Sequence, residues 1–369
     1  MSILVFVLYL APLAYPISSF TGSGVTYVYT SRTIYSSPGT EPLVLDAEDL
    51  MMNVFPNTSR QTTRLVVGDP FKGWVSDADS NPCLVFTSNT IPASGNLTLS
   101  LSLQIIERAA APPRIGFEAS GNLSDIPSSL GRYLESGGST WQGDDPRIRA
   151  LAQNILTGVG NTTNVLRVVV ATTDWLGWNV APASHDLVYS PVETYEAREG
   201  DCDDQALLLI TLLRSLGIPS YLQVGAIWTE RSESSSRWND HVTNILINIV
   251  FHAWAMVYVP PWGWLPFDLT LGWRPDDSLA VVKDAPVWGS NILVILNAVT
   301  MDWVGDGKKF EEWVSSKNVR ILTEDRLQRV LSLVEIFGGV YPWLLGTTFL
   351  SVALYIMHDR LRCRFGASH

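Results

Sequence analysis

The sequence predicts an α+β fold, and three observations support this prediction. Short alternating apolar runs, separated by proline, glycine and asparagine, fill residues 23–118, as is typical of strands. Helical spacing of apolar residues then takes over between residues 125 and 216. Two further alternating runs, joined by a turn with the sequence VPPWG, follow over residues 251–270 and predict a β-hairpin. We therefore predict a β-sandwich domain over residues 21–122 and an α+β domain over residues 123–290.

The composition is that of a folded protein and excludes one class of partner. The 369 residues are 46% hydrophobic and 17% charged, which is enough apolar material for more than one domain. The formal net charge is -11 and no run of lysine or arginine occurs, whereas a nucleic-acid groove needs cations that replace phosphate counterions. We expect no nucleic-acid partner.

The N-terminal stretch from Ile3 to Ile17 is apolar and uncharged. It is shorter than the roughly 20 residues that a membrane-spanning helix needs. This pattern predicts a signal peptide over residues 1–20. A buried N-terminal strand is the alternative, because no lysine or arginine precedes the apolar core and no clean cleavage site follows it.

The predicted β-sandwich domain contains an acidic loop and several glycosylation sequons. Asp77, Asp79 and Asn81 have the spacing of a calcium loop, but Pro82 and Ser88 occupy the positions that need glycine and glutamate. We therefore predict no metal site. Four Asn-x-Ser/Thr sequons are candidate glycosylation sites, and they lie at Asn57, Asn96, Asn122 and Asn161.

Cys202 directly follows Gly-Asp at the start of an apolar helix. First-turn N–H groups and the helix dipole favour a thiolate there, and the N–H of Cys202 can point at the oxyanion of an acyl intermediate. The neighbouring Asp203 and Asp204 would raise the pKa of the thiol. A cationic partner is therefore required. Of the other two cysteines, Cys83 is expected to be a small buried side chain and Cys363 lies near the C-terminus.

The predicted hairpin offers that partner. If Tyr258 faces Trp262, Asp268 lies directly opposite His252, whereas a slip that pairs Tyr258 with Trp264 places Asp268 diagonally from His252. In either register the two side chains share one face of the sheet. An aspartate beside a histidine orients the ring and stabilises the imidazolium.

Each of these residues has a purely structural interpretation as well. A histidine in a strand is more often a core residue, and an aspartate after a hairpin often only caps a turn. Cysteine, histidine and aspartate together in this order are much less expected by chance, so they favour a catalytic triad of Cys202, His252 and Asp268.

The C-terminal part of the chain predicts a membrane anchor. Residues 291–335 are predicted to be an extension, and no charged residue occurs from Ile336 to Met357. A helix of that length reaches about 33 Å, which is enough to cross the hydrocarbon core. We predict a transmembrane helix over residues 336–357 and a cytoplasmic tail over residues 358–369, a buried core helix being the weaker alternative. Basic residues flank both ends of this segment, so the signal peptide decides the orientation and predicts a single-pass cell-membrane protein with an extracellular catalytic domain.

Three blocks of the sequence, GDCDDQALLLITLLRSLGIPSYLQVG, HAW and GWLPFDLT, resemble the motifs of a known family. In order and spacing they are similar to the transglutaminase-like superfamily, papain-related thiol enzymes that include transglutaminases, peptide N-glycanases and microbial cysteine proteases. The similarity covers about residues 145–275. It implies an α+β papain-like core in which Cys202 is the nucleophile, His252 the general base and acid, and Asp268 the residue that orients His252. We expect no cofactor.

Two features depart from this family or extend it. Family members often carry an aromatic residue where this chain has Ala181, and Trp178 is our candidate for the side-chain oxyanion donor, with a packed tryptophan as the alternative. The β-rich front region with a membrane anchor resembles microbial, archaeal members displayed at the cell surface.

Two functions of different class remain open from the sequence. The first is a thiol enzyme that forms a thioester from a peptide or carboxamide bond and resolves it with water, or with a second amine in a cross-linking acyl transfer. The second is a non-catalytic surface scaffold that retains the fold. The triad favours the enzyme, and hydrolysis of a protein or peptide substrate is the preferred reaction.

Overall fold

The computed structural model describes residues 24–46, 49–185, 187–238 and 240–331. The predicted signal peptide, transmembrane helix and tail lie outside these residues. Within the described chain, no helix is both long enough and apolar enough to cross a membrane. This finding contradicts the predicted single-pass membrane location, which we withdraw.

The strands of the described chain are β1 (Val25–Ser36), β2 (Leu43–Val44), β3 (Met51–Asn53), β4 (Gln61–Gly68), β5 (Phe71–Ser76), β6 (Pro82–Phe86), β7 (Thr90–Ile91), β8 (Asn96–Glu107), β9 (Ala181–Pro182), β10 (Glu199–Gly200), β11 (Ser220–Trp238), β12 (Val242–Val259), β13 (Gly263–Phe267), β14 (Ile292–Ala298) and β15 (Arg320–Val330). The α-helices are α1 (Pro146–Gly158), α2 (Val165–Asn179), α3 (Pro191–Ala197), α4 (Cys202–Ser215), α5 (Leu269–Gly272), α6 (Ala280–Lys283) and α7 (Trp303–Ser316). Short 3₁₀ helices occupy Phe117–Ala119, Leu123–Asp125, Ser128–Leu134 and Pro286–Trp288.

One large sheet organises the molecule. Its strands lie in the order β14, β11, β12, β15, β1, β8, β4, and β13 pairs with β12 as the eighth strand. The pairing of β12 with β15 is parallel, whereas β15 runs antiparallel to β1. β15 therefore joins the strands of the N-terminal region to those that carry the predicted hairpin.

This topology corrects the predicted fold class in part. The mixed helix and sheet core is present, but a separate β-sandwich in the front region is not confirmed, because β1, β4 and β8 belong to the same sheet as β11 and β12. The physical reason is β15, whose hydrogen-bonding edges are taken by β1 on one side and β12 on the other. Alternation along a strand shows that it has a buried face, but it does not identify its partner.

Two apolar clusters fill the two parts of the sheet. The first packs α1, α2 and α4 against β11, β12 and β13. The second lies between β1 and β8 and the short strands of the front region, and it includes the buried Tyr27 and Phe86. Burying such large side chains contributes about 1.5–3 kcal/mol each. The catalytic candidates lie at the edge of the first cluster.

A buried carboxylate ties the front region to the core. Asp79 Oδ2 accepts the backbone N–H groups of Val299 at 2.6 Å and of Met301 at 3.0 Å, and Asp79 Oδ1 accepts the hydroxyl of Thr300 at 2.7 Å. Asn81 adds a hydrogen bond from its side-chain N–H to the carbonyl of Asn297 at 2.8 Å. The acidic loop that has calcium-like spacing in the sequence therefore uses its side chains to hold the chain segment that leads into α7.

Candidate active site

Cys202 opens the central helix of the core. Most side chains of α4 are fully buried, and Cys202 is its first residue. In the first turn, Asp204 Oδ2 accepts the backbone N–H of Asp201 at 3.1 Å, and a carboxylate that caps the helix in this way stabilises its start. The side-chain N–H of Gln205 donates to the carbonyl of Gly200 at 2.8 Å. These two hydrogen bonds hold the backbone of Gly200 and Asp201, just before Cys202, against the first turn of α4.

The Cys202 thiol lies against β12 in an acidic environment. Burial, together with the charges of Asp203 and Asp201, raises the pKa of the thiol to about 12, although the nearby backbone N–H groups of Ala253 and Asp203 act to lower it. Burial is the largest of these causes, and the charge of Asp203 comes next. The resting thiol is therefore protonated at neutral pH.

The structure brings His252 and Asp268 together. His252 precedes Ala253 on β12 and is 6% exposed, and its Nε2 lies 2.6 Å from Asp268 Oδ2. The hairpin of β12 and β13 pairs Tyr258 with Trp264, which is the second of the two predicted registers. His252 is thus next in sequence to Ala253, whose backbone N–H is close enough to Cys202 to act on the pKa of its thiol.

The two oxygens of the Asp268 carboxylate have different hydrogen-bond partners. Oδ1 accepts the backbone N–H of Leu271 at 3.0 Å and the hydroxyl of Thr270 at 3.3 Å, which caps α5. Oδ2 is left to hold His252. The backbone N–H of Asp268 donates to the carbonyl of Val281 at 3.0 Å, and the side chain is nearly inaccessible to solvent. The cap fixes the orientation of the carboxylate and thereby that of the imidazole ring.

Trp303 is a site residue that the sequence analysis missed. Its indole N–H donates to Asp203 Oδ2 at 3.0 Å, across 100 residues of sequence. Burial, followed by a side-chain hydrogen bond with Asp201 and the charge of that residue, raises the pKa of Asp203 to about 7. Oxygens of both carboxylates lie within 4.8 Å of the Cys202 sulfur. No local signal could have found Trp303, because it lies at the start of α7, far beyond the three motif blocks.

The raised pKa predicts a pH dependence of stability that Asp203→Asn should weaken. The folded protein keeps the Asp203 proton up to about pH 7, whereas an ordinary aspartate, with a pKa of 3.8, loses it. The folded state therefore binds more protons across this window, and the free energy of unfolding contributed by Asp203 falls as the pH rises from about 4 to 7. In urea denaturation, Asp203→Asn should gain stability relative to the wild type between pH 5 and pH 8. The control Asp276→Asn changes an exposed carboxylate and should not gain stability relative to the wild type over this pH range. Equal pH profiles of stability for Asp203→Asn and the wild type would contradict the raised pKa of Asp203.

Trp178, the predicted oxyanion donor, lies at the end of α2. Its side chain is 68% exposed and meets the edge of Trp273 with ring centroids 5.4 Å apart. The indole N–H of Trp273 in turn donates to Asp174 at 3.2 Å. The role of Trp178 stays a prediction, and its packing against Trp273 is the ordinary contact of a surface tryptophan.

The predicted glycosylation asparagines are all at the surface. Asn57 and Asn122 use their side-chain oxygens locally, accepting the N–H of Thr63 at 2.8 Å and the hydroxyl of Thr163 at 2.9 Å, respectively. The exposed positions are Asn57, Asn96, Asn122 and Asn161.

One stretch of the sequence matches a known protein family. Residues 149–269 match the model of the transglutaminase-like superfamily, and this stretch includes Cys202, His252 and Asp268. Over 134 residues the chain is 30% identical to the uncharacterized protein YebA of Bacillus subtilis (strain 168). This match covers 34% of the chain but only 18% of YebA. The chain thus corresponds to about a fifth of the length of that curated relative.

Comparison of the folds extends beyond the matched domain. The crystal structure of a candidate cysteine protease from Cytophaga hutchinsonii superposes with a TM-score of 0.53 at 17% identity, covering 84% of this chain and 92% of that one. A candidate protease from Parabacteroides distasonis ATCC 8503 covers 63% of this chain and 62% of its own at 14% identity, and its TM-score of 0.23 is too low to indicate a shared fold. None of these three proteins supports the predicted archaeal origin. Residues 149–269, which contain all but the last residue of the three motif blocks, are therefore similar to the core domain of the transglutaminase-like superfamily.

Proposed function

We propose that the chain is a thiol enzyme that cleaves peptide or carboxamide bonds through a thioester at Cys202. The observation that carries this proposal is the 2.6 Å contact of His252 Nε2 with Asp268 Oδ2, on the strand against which α4 and its first residue, Cys202, pack. This is the arrangement in which a base, oriented by a carboxylate, activates a nucleophile. The fold shared with a candidate cysteine protease is consistent with a protein or peptide substrate.

The two ring nitrogens of His252 determine the path of the proton in the proposed reaction. Asp268 holds Nε2 of His252, so the proton of the Cys202 thiol passes to Nδ1 while the sulfur attacks the carbonyl carbon. The imidazolium, stabilised by Asp268, then protonates the leaving amine as the carbon–nitrogen bond breaks and the thioester remains. Water attacks the thioester with His252 again as base, which releases the acid and restores the thiol.

The acidic surroundings of Cys202 determine the timing of the first proton transfer. With the pKa of the thiol raised to about 12, a preformed thiolate is disfavoured in the resting site. We therefore infer that the proton leaves the sulfur together with the attack, when the developing negative charge moves from sulfur to the carbonyl oxygen. The N–H groups in the first turn of α4, which have no partner within the helix, can then stabilise the oxyanion.

One product analysis tests the proposed reaction and its main alternative. The protein is incubated with a library of glutamine-containing peptides, with and without a labelled primary amine, and the products are identified by mass spectrometry. Cleaved or deamidated peptides that require Cys202 would support hydrolysis. Incorporation of the amine without cleavage or deamidation would replace hydrolysis by acyl transfer, and an unchanged library would favour the non-catalytic scaffold.

A further inference from the structure

A cleft of about 760 Å³ opens over the sheet close to the candidate active site. Its floor contains two rows of side chains that cross the sheet from β1 through β15 and β12 to β11. The polar row consists of Thr33, Thr323, Asn244 and Ser236. The apolar row consists of Tyr35, Ile321, Val242 and Trp238.

One wall of the cleft contains a residue that contacts the surroundings of Cys202. α7 forms one side, and its first residue, Trp303, lines the cleft. The indole N–H of Trp303 donates to Asp203 at 3.0 Å, and an Asp203 oxygen lies within 4.8 Å of the Cys202 sulfur. Two side chains, Trp303 and Asp203, therefore connect the cleft to the candidate nucleophile.

Gly307 lies in the interior of α7 and faces this space. A Cβ atom added at Gly307 would meet no heavy atom within 4 Å, and Gly307 lines the cleft. Glycine is less favourable than alanine in the interior of a helix. No neighbouring atom requires a glycine at this position, and the missing side chain adds to the open volume of the cleft. A larger residue here would project into the cleft without displacing the core.

The charged side chains that line the cleft are both basic. Arg237 and Lys308 line it, and its lining as described contains no aspartate or glutamate, although the formal net charge of the protein is -11. Arg237 lies 3.3 Å from Asp240 and Lys308 lies 3.4 Å from Glu193. Exposed ion pairs of this kind contribute little to stability, so a bound carboxylate can compete for both cations.

We propose that this cleft, the Gly307 cleft, binds an extended acidic segment of the polypeptide substrate next to the carbonyl that Cys202 attacks. The inference rests on the proposed function and names its substrate class. Hydroxyl and amide groups of the polar row can pair with the backbone of an extended segment, and the two cations can pair with its carboxylates. The stacked rings of Trp238 and Phe310, 5.8 Å apart and 7° from parallel, provide apolar contact area at one end.

Binding is measured without turnover, in a full-length Cys202→Ala background. The probe is a short fluorescein-labelled peptide rich in glutamate and glutamine, and the readout is fluorescence anisotropy. Adding Gly307→Trp should weaken binding by more than about tenfold, because the indole fills the cleft. The matched control is Gly307→Ala, which adds only a methyl group in open space and should change binding less than about twofold. Equal affinities with Gly307→Trp and Gly307→Ala would overturn the proposal.

Charge is tested separately, which also covers a failure of Gly307→Trp to fold. A peptide with glutamine in place of every glutamate should bind more weakly than the acidic probe, and Lys308→Gln should reduce that difference. Equal binding of the two peptides by the Cys202→Ala protein would overturn the acidic preference.

Failure of the proposed function gives a different result. In that case the wild-type chain does not turn over the peptide library, whereas the anisotropy assay still reports on the cleft. Conversely, library turnover that depends on Cys202 but is insensitive to Gly307→Trp would leave the thiol enzyme intact and reject the cleft. Iodoacetamide alkylation of Cys202 at equal rates in the wild type and Gly307→Trp shows that the nucleophile itself is undisturbed.

Discussion

Cys202→Ala is expected to abolish turnover of any substrate found in the peptide library, with a loss of about 10⁴-fold or more in kcat. No other group in the described site can form the thioester, because His252 and Asp268 supply only proton transfer and orientation in the proposed mechanism. The second cysteine of the described chain provides the control. Cys83 is fully buried in the front region, so Cys83→Ala should lose some stability but retain the activity of the folded protein.

His252→Ala should reduce kcat to a similar level, and the double variant should lose little more than either single one. Groups that act as a unit are strongly non-additive, since removing one already disables the step that the other serves. Rates are measured on protein whose folding has been checked by circular dichroism. If the two losses multiplied, or if Cys202→Ala kept full activity, the thiol mechanism would be wrong.

Asp268→Asn is expected to lower kcat by about 10⁴-fold while the protein stays folded. The reason is the cap of α5. The N–H of Leu271 and the hydroxyl of Thr270 both donate to Oδ1, so the oxygen of the introduced amide is drawn to that side and its NH₂ faces His252 Nε2. Nε2 must then accept a hydrogen bond and Nδ1 carries the proton. His252 is thereby locked in the tautomer that cannot take the proton of Cys202.

The comparison with Asp268→Ala separates the two tasks of this carboxylate. Loss of the cap should cost about 1 kcal/mol of stability in Asp268→Ala, whereas Asp268→Asn keeps the cap and should unfold at nearly the wild-type urea concentration. An Asp268→Asn enzyme with near wild-type kcat would show that Asp268 serves only the helix start.

The parts of the site that were predictable are those that local patterns determine. An apolar helix starting at Cys202 and a hairpin with His252 and Asp268 on one face follow from helical spacing and from alternation. The contact between those two residues holds in either register, so the sequence could predict it without deciding between them. The structure selects the register that pairs Tyr258 with Trp264.

The remaining parts depend on partners that are distant in sequence. β15 is a strand whose neighbours, β1 and β12, lie in different parts of the chain, and this pairing replaces the predicted separate sandwich. Trp303 reaches Asp203 only because Asp79 and Asp302 hold the segments before α7. Asp302 does so by accepting the backbone N–H groups of Ser139 and Thr140 at 3.0 Å each.

The pKa of the Cys202 thiol is a further property that the sequence alone could not decide, because it predicts two opposing effects. Asp203 and Asp204 predict a raised pKa and the helix start predicts a lowered one. Only the burial of Cys202 and the placement of Asp201 and Asp203 decide the outcome. This balance is why the proposed mechanism transfers the proton during the attack.

The thioester at Cys202 can be detected directly from the mass of the acylated protein. The protein is mixed with an activated aryl ester of N-protected glutamine, for which acylation outpaces hydrolysis, and the reaction is quenched with acid and analysed by intact-mass and peptide-mass spectrometry. We expect one acyl group on the peptide that contains Cys202, formed in the wild type and in Cys83→Ala but not in Cys202→Ala. Release of the aryl alcohol at the wild-type rate by Cys202→Ala, or an acyl group on another residue in place of Cys202, would contradict this expectation.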